Sequence, residues 1–438
     1  MNDTLIISGG NTLEGTVKIS GAKNAALPLL AASLLTEQSV MLCNVPSLTD
    51  VEHFKLILKQ LGVHLTETNE TTTLTANTIK QQIIDFAEAK AMRASVLFLG
   101  PLLSRLGEVA ICLPGGCNIG LRPIDQHLQA LSLMGAEFHI NNGIVYAKKK
   151  STKLHGADIR FTMPTVTGTE NVIMAATIAE GITTIKNAAK EPEVIDLCKL
   201  LNAMGAKIKG SGTSKIQISG VPKLHSACHT IIPDRIETGT YLISALATNS
   251  LVELTNTNPK LLTTELNHFR QMGAKISTAK SKIKIYPSLN ELIGINLTTQ
   301  AYPGFSTDLQ APTMLLHSLA KGQSTITENI FDNRFHHVNA LNQMNANLNI
   351  SSNHVFCQGH SKLYASEVTA TDLRASACLT IAGLVAEGES YIHHINYLDR
   401  GYSQFDKKLQ SLGANIKRIA TSSLPKCETF ARTTLYAS

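Results

Sequence analysis

The pentapeptide MGAKI occurs at 204–208 and again at 272–276, and its recurrence decides the fold class. Four variants end similar amphipathic segments: LGVHL at 61–65, MGAEF at 134–138, MNANL at 344–348 and LGANI at 412–416. The second residue of the phrase recurs every 68 to 73 residues. Glycine or asparagine at that point is a typical helix stop, because both tolerate a left-handed backbone. The chain is therefore predicted to contain six copies of one unit.

Each unit mixes helices with short strands. Several copies of the phrase are preceded by a helix end, a glycine turn and an alternating strand, as in AEGITTIKN (179–187) and AEGESYIHHIN (386–396). A unit of this size buries too little surface to fold alone, so neighbouring units should pack together. Six units can be grouped as three plus three, and the segment near 220–233 would connect the two groups. The sequence predicts an α/β fold of two lobes, and a cleft between lobes is a common ligand site.

Composition excludes several classes of protein. The 438 residues contain 39 Lys and Arg against 33 Asp and Glu, a net charge of +6. No basic run with interleaved aromatic residues is present, so no nucleic-acid partner is expected. No 18-residue apolar stretch and no signal-like start occur, so we expect no membrane span and a cytoplasmic location. The eight cysteines form no CxxC pair, which argues against zinc and for a reduced protein.

The segment LPGGCNIGLRPIDQH (113–127) carries the most reactive pattern. Cys117 stands in a glycine-rich loop, and Arg122, Asp125 and His127 follow within ten residues. Nearby cations favour the thiolate, so Arg122 and His127 are predicted to activate Cys117. Arg122 could also bind a phosphate or carboxylate through its planar fork. A surface loop with an incidental cysteine is the alternative.

Other candidate residues stand where elements begin. Lys23 and Asn24 lie between a glycine turn and an apolar helix, a placement that suits an anion or, equally, a solvated lysine beside a cap. Thr165 and Gly168 precede a helix, either as a diphosphate cradle or as a plain cap. Asp308 opens an apolar helix, as a cap or as a general base.

Charged residues recur near element ends in several units. The acids Glu191, Glu193 and Asp196 are interpreted as residues that complement a helix dipole. Arg93, taken singly, is most simply a solvated charge at the start of a long apolar helix. The basic side chains together are typical of a site for heavily anionic substrates; they are Lys23, Arg93, Arg122, Arg334, Arg374 and Arg400.

Taken in order, these motifs resemble a known family. They are SGAKNAALPLLAASLL, MRAS, LPGGCNIGLRPIDQH, TENVIMAA, KEPEV, DRIETGTYL, YPGFSTDLQA, ENIFDNRF, TDLRAS and LDRGY. The set resembles the UDP-N-acetylglucosamine 1-carboxyvinyltransferases, the enolpyruvyl transferases that open peptidoglycan synthesis, from about residue 5 to about residue 420.

The resemblance implies a fold and a domain division. Each lobe should hold three α/β units about a pseudo-threefold axis, with helices inside and sheets outside, as an inside-out α/β barrel. The first lobe, 22–232, should carry the mobile cysteine loop. The second lobe should combine 1–21 with 233–420, and 421–438 should form a C-terminal tail of no assigned function.

The resemblance also implies a reaction. Enolpyruvyl would pass from phosphoenolpyruvate to the 3′-hydroxyl of UDP-N-acetylglucosamine, with release of phosphate. This is the first committed step of peptidoglycan synthesis, on which cell wall biogenesis, cell shape and cell division depend. The family expectation is a cytoplasmic monomer with small-molecule substrates and with neither cofactor nor metal.

Residue roles follow from the matching motifs. Cys117 corresponds to the thiol that protonates C3 of phosphoenolpyruvate, forms an adduct with it and is alkylated by fosfomycin. Asp308 corresponds to the base that takes the sugar hydroxyl proton. The expected phosphoenolpyruvate contacts are Lys23, Arg93, Arg122 and Arg400, with Arg374 beside them and Arg334 as a further basic residue of the substrate site. The expected UDP-sugar contacts are Asn24, Thr165, Gly168, Arg122, Pro123 and Ile330.

Some positions depart from the family pattern. Ser306 stands where proline is usual, Pro312 where glutamine is common, and Asn345 where glycine is usual. The first two changes could shift Asp308 slightly. Three rival interpretations are the sister enzyme 5-enolpyruvylshikimate-3-phosphate synthase, a non-catalytic UDP-sugar-binding regulator and a structural repeat protein. The PGGCNIGLRP loop argues against the sister enzyme. The intact candidate residues argue against a non-catalytic regulator, and the placement of the cations argues against a structural repeat protein.

Overall fold

Six four-stranded sheets surround two groups of buried helices in the computed structural model, which describes residues 3–68, 71–113 and 124–420. The strands of these residues are β1 (Asp3–Ser8), β2 (Glu14–Lys18), β3 (Val40–Cys43), β4 (His64–Glu67), β5 (Thr71–Thr75), β6 (Ile83–Ile84), β7 (Glu108–Cys112), β8 (Ala136–Asn141), β9 (Ile144–Lys149), β10 (Asp158–Arg160), β11 (Ile182–Lys186), β12 (Lys207–Lys209), β13 (Lys215–Ser219), β14 (Ala227–Thr230), β15 (Leu251–Thr255), β16 (Lys275–Ala279), β17 (Lys282–Tyr286), β18 (Leu297–Thr298), β19 (Ser324–Thr327), β20 (Leu348–Ser351), β21 (His354–Cys357), β22 (Glu367–Thr369), β23 (Glu389–His393) and β24 (Asn415–Ala420).

The helices of the same residues are α1 (Lys23–Ala32), α2 (Thr49–Gln60), α3 (Ala87–Ala91), α4 (Leu99–Leu106), α5 (Asp125–Leu133), α6 (Val166–Ala176), α7 (Pro192–Ala203), α8 (Arg235–Ala247), α9 (Thr263–Gln271), α10 (Gln310–Leu319), α11 (His337–Gln343), α12 (Leu373–Val385) and α13 (Phe405–Ser411). Short 3₁₀ helices span Ser33–Leu35, Arg93–Phe98, Pro259–Leu262, Thr307–Leu309 and Ile395–Arg400.

The six sheets repeat one strand pattern. In each, a first strand lies parallel to the second, and the second and third and the third and fourth are antiparallel, as in β10-β11-β13-β12 and β18-β19-β21-β20. The prediction of six copies of one α/β unit is confirmed by this pattern.

The repeated phrase ends a helix in every unit. Gly62, Gly135, Gly205, Gly273 and Gly413 have φ between 95° and 101°, and Asn345 has φ 73° at the equivalent place. These angles belong to the left-handed region, which glycine enters without strain and asparagine tolerates. Asn345 therefore ends its helix with a left-handed residue, as glycine does in the other five units.

Helices lie inside and sheets lie outside, as the resemblance implies. In α6, α10 and α12 most residues are buried, and their sequences are mainly apolar or small, with a few buried polar side chains such as Glu170 and His317. The strands instead alternate buried and exposed residues, as β13 and β15 do. A helix that is apolar on all sides must be covered on all sides, whereas an alternating strand buries only one face.

Two separate hydrophobic cores result. One is built from residues between Ala22 and Ile231, and the other from Leu5 to Ile19 together with Ile236 to Ile416. In the second core, α8, α10 and α12 all pack against one another, which gives the threefold arrangement of inner helices. Strands β1 and β2 lie in sheets of the second core, because β1 pairs with β23 and β24 and β2 pairs with β15.

The chain passes between the two cores at two adjacent places. Gly21 and Pro233 form an antiparallel bridge, the amide of Ala22 donates to Ile232 O at 2.8 Å, and the amide of Asp234 donates to Ser20 O at 2.9 Å. A Cβ on Gly21 would lie 1.8 Å from the carbonyl oxygen of Asn44, so only glycine fits there. Both crossings therefore form one narrow, hydrogen-bonded junction, and Lys23 begins α1 beside it, with its amide donating to Asp234 Oδ2 at 3.2 Å.

Candidate functional site

Asp308 lies between two arginines at the start of α10. It belongs to the 3₁₀ turn Thr307–Leu309, and its Oδ1 accepts from Arg334 Nη2 at 2.5 Å while its Oδ2 accepts from Arg374 Nη2 at 2.9 Å. Arg334 follows β19 and Arg374 stands in the first turn of α12. Three separate elements thus bring one carboxylate and two guanidinium groups together; they are called the Asp308 cluster below.

The charge of Asp308 is strongly stabilised. Burial by itself would raise the pKa of the carboxyl group, but Arg374 and Arg334 outweigh burial and hold the pKa well below its usual range. The carboxylate is therefore ionised at neutral pH. Its side chain keeps 26% of its surface exposed, so a substrate can still reach it.

The capping interpretation of Asp308 is wrong. Ser306, one of the departures from the family pattern, caps the turn instead: its hydroxyl accepts from the amide of Asp308 at 3.3 Å. Pro312 lies in the first turn of α10, where an amide has no partner within the helix and a proline is tolerated. Both departures thus fit the helix that places Asp308.

A second cluster joins the two cores through Asp50. Its Oδ2 accepts from Lys23 Nζ at 3.2 Å and its Oδ1 from Arg400 Nε at 2.9 Å. Lys23 begins α1 and Asp50 lies in the first turn of α2, whereas Arg400 ends a 3₁₀ helix of the other core. Burial would raise the pKa of Asp50, but Lys23 and Arg400 together lower it. These residues are called the Asp50 cluster.

Asp234 binds the amide of Lys23 in the Asp50 cluster, and its charge acts on Arg374 in the Asp308 cluster. It caps α8 through its Oδ1, which accepts from the amides of Ile236 and Glu237 at 2.7 and 2.9 Å. Its Oδ2 accepts from the amide of Lys23 at 3.2 Å. Burial would lower the pKa of Arg374, but Asp308 and, to a lesser extent, Asp234 raise it. The negative charge of Asp234 therefore lies at the junction between the Asp50 and Asp308 clusters.

Thr165 is the N-cap of α6. Its hydroxyl accepts from the amide of Gly168 at 3.3 Å, so the plain capping role is present whatever else the segment does. A Cβ on Gly168 would lie 2.5 Å from Thr165 Cγ2, and a side chain there would displace the cap. Asn24, next to Lys23, is exposed and makes no capping bond.

The predicted role of His127 as a cation is wrong. His127 is buried at 2% exposure, and burial together with the charge of Arg93 lowers its pKa to about 3. Asn171 Nδ2 lies 3.0 Å from His127 Nδ1, which makes that nitrogen the acceptor and leaves Nε2–H to donate to Thr167 Oγ1 at 3.3 Å. His127 is thus a neutral packing and hydrogen-bonding residue, and it supplies no positive field to a thiol.

The segment that follows Arg93 is not the single long helix that the sequence predicts. Arg93 opens the 3₁₀ helix Arg93–Phe98, and α4 begins only at Leu99, so the predicted single long helix is two segments. The charge of Arg93 acts on His127 of α5, and the 3₁₀ helix that Arg93 opens packs against α6.

Ile330 lies in a turn fixed by a buried acid. Glu328 is 3% exposed; its Oε1 accepts from the amides of Ile330 and Phe331 at 2.8 and 3.1 Å, and its Oε2 accepts from Thr307 Oγ1 at 2.9 Å. Glu328 thus ties the turn at Ile330 to the turn that carries Asp308.

Two acids that were predicted to complement a helix dipole, Glu193 and Asp196, bind other side chains. Glu193 accepts from Arg235 Nε at 3.0 Å, across the junction between the cores, and Asp196 binds His229 at 2.9 Å. Asp50, Glu328 and Tyr402 were not singled out at all. An acid in a first turn looks the same in sequence whether it faces solvent or a distant cation, so only the three-dimensional contacts separate the two cases.

Cys117, Arg122 and Pro123 lie outside the described residues. The structure thus brings together Lys23 and Arg400 in one cluster and Asp308, Arg334 and Arg374 in the other. Within the described ranges, no group of three or more His, Cys, Asp and Glu side chains is arranged to hold a metal ion, and no helix there is long and apolar enough to cross a membrane.

Solved structures share this architecture. The enolpyruvyl transferase NikO from Streptomyces tendae superposes with a TM-score of 0.87 at 23% identity, covering 95% of this chain and 99% of that one. An EPSP synthase from Acinetobacter baumannii gives a TM-score of 0.74 at 18% identity, covering 96% of this chain and 100% of that one. At these identities the likeness establishes the fold alone.

Sequence relatives narrow the family. The sequence model of EPSP synthase (3-phosphoshikimate 1-carboxyvinyltransferase) matches residues 7–409. The UDP-N-acetylglucosamine 1-carboxyvinyltransferase of Acinetobacter baylyi is 46% identical over 418 residues, which cover 95% of this chain and 100% of the relative. The protein of the same name from Magnetococcus marinus is 47% identical, with 95% and 99% covered. The chain therefore belongs to the UDP-N-acetylglucosamine 1-carboxyvinyltransferase family, within the wider group of EPSP synthase-like carboxyvinyl transferases.

Proposed function

We propose that this enzyme transfers the enolpyruvyl group of phosphoenolpyruvate to the 3′-hydroxyl of UDP-N-acetylglucosamine and releases phosphate, as the first committed step of peptidoglycan synthesis. The observation that carries the proposal is the 46–47% identity, over 95% of the chain, to two transferases of that name. The two charge clusters at the lobe junction supply the chemistry that such a reaction needs.

The reaction needs a proton taken from the sugar hydroxyl and a proton given to C3 of phosphoenolpyruvate. Addition of the hydroxyl oxygen to C2 forms a tetrahedral adduct, and loss of phosphate and of one C3 proton then forms the enol ether. We assign the first proton to Asp308, which is ionised and partly accessible. We assign the second to Cys117, on its match to the family motif.

Asp308 is a weak base while two arginines hold it. A base works best when its pKa lies near the working pH, and Arg334 and Arg374 keep the pKa of Asp308 far lower. An anionic substrate that draws either guanidinium toward itself would raise that pKa. Substrate binding would therefore activate the base in the same step that places the hydroxyl beside it.

The Asp50 cluster is the proposed site for the anionic groups of phosphoenolpyruvate. Lys23 and Arg400 come from different lobes and are held together by Asp50. A phosphate or carboxylate offers better charge-assisted bonds than one shared carboxylate, so it would compete with Asp50 for both cations. Arg93, Arg122 and Arg374 are proposed to complete this set, with Arg334 beside Asp308.

The UDP-sugar is proposed to lie along Asn24, the Thr165–Gly168 turn, Arg122 with Pro123, and Ile330. The support is the motif match together with the exposed side chain of Asn24 and the partly exposed residues at the start of α6. His127 is not part of this proposal, because it is neutral and buried.

The remaining parts of the proposal concern the whole chain. We propose two lobes, 22–232 and 1–21 with 233–420, because the two hydrophobic cores divide the chain in this way. We further propose a cytoplasmic monomer that acts on small molecules without cofactor or metal, as the family resemblance implies.

The test is phosphate release from phosphoenolpyruvate with one of two acceptors. Release that depends on UDP-N-acetylglucosamine, with none from shikimate 3-phosphate, is the expected result. Release only with shikimate 3-phosphate would move the chain to the sister activity. No release with either acceptor, alongside tight UDP-sugar binding, would indicate a regulatory protein.

A further inference from the structure

Tyr402 is a buried residue that contacts the Asp308 cluster without touching Asp308. It follows the 3₁₀ helix that ends at Arg400, and it is 1% exposed. Its hydroxyl lies 3.0 Å from Arg374 Nη1, and the guanidinium carbon of Arg374 lies 5.5 Å from its ring centroid. Both the edge and the face of one tyrosine therefore contact the arginine that holds Asp308.

The direction of the hydrogen bonds around Tyr402 follows from counting donors. Thr240 has a single hydroxyl proton, which it donates to Ile236 O at 2.8 Å. Thr240 Oγ1 must then accept from the Tyr402 hydroxyl, 3.0 Å away. The lone pairs of Tyr402 Oη are left to accept from Arg374. The result is a single ordered chain from Arg374 through Tyr402 and Thr240 to the backbone of α8.

This chain of bonds restricts Arg374 to one orientation. Arginine carries a long side chain with many rotamers, and fixing it costs conformational entropy. With Nη1 on Tyr402 and Nη2 on Asp308, the guanidinium plane has two fixed points and is positioned before substrate arrives. If an anion draws Nη2 away from Asp308, the bond to Tyr402 is still in place and limits how far the guanidinium can turn.

We propose that Tyr402 is a positioning residue of the transfer reaction, whose hydroxyl, held by Thr240, orients Arg374 toward Asp308 and the substrate anion. This inference rests on the proposed function, since it assigns Asp308 as the base of that reaction. Tyr402 acts only through Arg374 and need not touch the substrate.

The test is Tyr402→Phe, with Tyr241→Phe as a matched control. Tyr241 is equally buried and packs on the same Phe405 ring, 5.2 Å away against 5.0 Å for Tyr402, but its hydroxyl has no hydrogen-bond partner among the residues that the structure describes. Tyr402→Phe should lower kcat by about tenfold, because Arg374 is no longer held in the orientation that positions the substrate anion. KM for UDP-N-acetylglucosamine should change little, whereas the thermal midpoint should fall, because the buried guanidinium of Arg374 loses a partner. Tyr241→Phe should resemble the wild type.

A pH profile separates positioning from plain packing. Asp308 faces Arg334, Arg374 and Arg235, while Tyr402 faces Arg374 and the carboxylate of Asp234. A loosened Arg374 stabilises the Asp308 carboxylate less, so the acid limb of kcat/KM should move to higher pH in Tyr402→Phe. A profile that stays in place with normal kcat would overturn the inference.

Variants of Thr240 test the same chain of bonds from its other end. Thr240→Ser keeps the hydroxyl and should keep activity and profile, whereas Thr240→Val should reproduce the shift of Tyr402→Phe. Additive effects in the double variant of Tyr402→Phe and Thr240→Val would contradict a single chain. If the wild type releases no phosphate with the UDP-sugar, the proposed function fails and this inference with it. An active wild type with an unaltered Tyr402→Phe variant refutes this inference alone.

Discussion

Replacing Asp308 by alanine separates its chemical role from its structural one. The change removes the carboxylate that accepts from Arg334 and Arg374 at 2.5 and 2.9 Å. A general base contributes a factor of roughly 10² to 10⁴ to turnover, and a base with a strongly lowered pKa belongs in the lower part of that range. We therefore expect kcat to fall by about 10² to 10³, or about 3–4 kcal/mol in activation free energy.

Binding should survive the same change. Arg334 and Arg374 lose their shared counter-ion in Asp308→Ala, so their attraction for a substrate anion is undiminished. The dissociation constant of UDP-N-acetylglucosamine, measured by calorimetry, should stay within about threefold of the wild-type value, because the two arginines that attract the substrate anion are still present. Phosphate release at saturating substrates gives kcat.

The loss of stability should depend on pH in a defined direction. Removing two charge-assisted bonds to a partly exposed carboxylate should cost about 2–3 kcal/mol in the free energy of unfolding. The folded pKa of Asp308 is lowered, so its stabilisation is complete above the unfolded value of about 3.9 and is lost as pH falls toward the folded value. The difference between wild type and variant should be constant from about pH 5 to 7 and shrink below about pH 4.

A control variant and a refuting result complete this test. Asp3 also binds an arginine, with Arg418 Nε 2.8 Å from its Oδ2, but it lies in β1. Asp3→Ala should lose some stability and keep normal turnover. If Asp308→Ala turns over within about threefold of the wild type, Asp308 is not the base, whatever its stability.

Three further predictions address other parts of the site. Cys117→Ser should abolish inactivation by fosfomycin, measured as residual phosphate release after incubation; unchanged inactivation would remove Cys117 as the reactive thiol. Asp50→Asn should lower stability by about 2 kcal/mol in urea unfolding, because Lys23 and Arg400 lose a shared charge that is 8% exposed. The same variant should bind inorganic phosphate more tightly, and weaker binding would contradict competition between Asp50 and the substrate anion. Truncation after Ala420 keeps all of β24 and should leave turnover intact; a loss would assign a role to residues 421–438.

The fold was predictable because its signals are local. A helix stop every 68 to 73 residues depends on the left-handed backbone at Gly205 and its equivalents, and it can be recognised without any distant contact. Helices inside and sheets outside were expected only from the family resemblance, but the alternation of apolar and polar residues in the strands is again a local signal. These features depend on the chemistry of neighbouring residues along the chain, which is why the six α/β units could be counted from sequence.

The site was predictable only in part. Lys23, Asp308, Arg334, Arg374 and Arg400 were singled out as charges at element ends, and the structure brings them into two clusters. Their grouping could not be predicted, since Asp50 and Arg400 are 350 residues apart and meet only where the two lobes join. The error on His127 has the same origin: a histidine ten residues after a cysteine suggests a nearby cation, but burial against α6 removes the charge.

The sequence by itself determined the repeat, the fold class, the reactive motifs and the family, because each depends only on residue types and their spacing along the chain. Only the tertiary structure decided which charges neutralise one another and which other groups hydrogen-bond to the charged residues. Tyr402 shows the difference most clearly. Its hydroxyl gains a role solely because α8 and α12, distant in sequence, place Thr240 and Arg374 on either side of it. Charge–charge interactions and hydrogen-bond partners depend on distances in space, and the order of residues along the chain does not specify those distances.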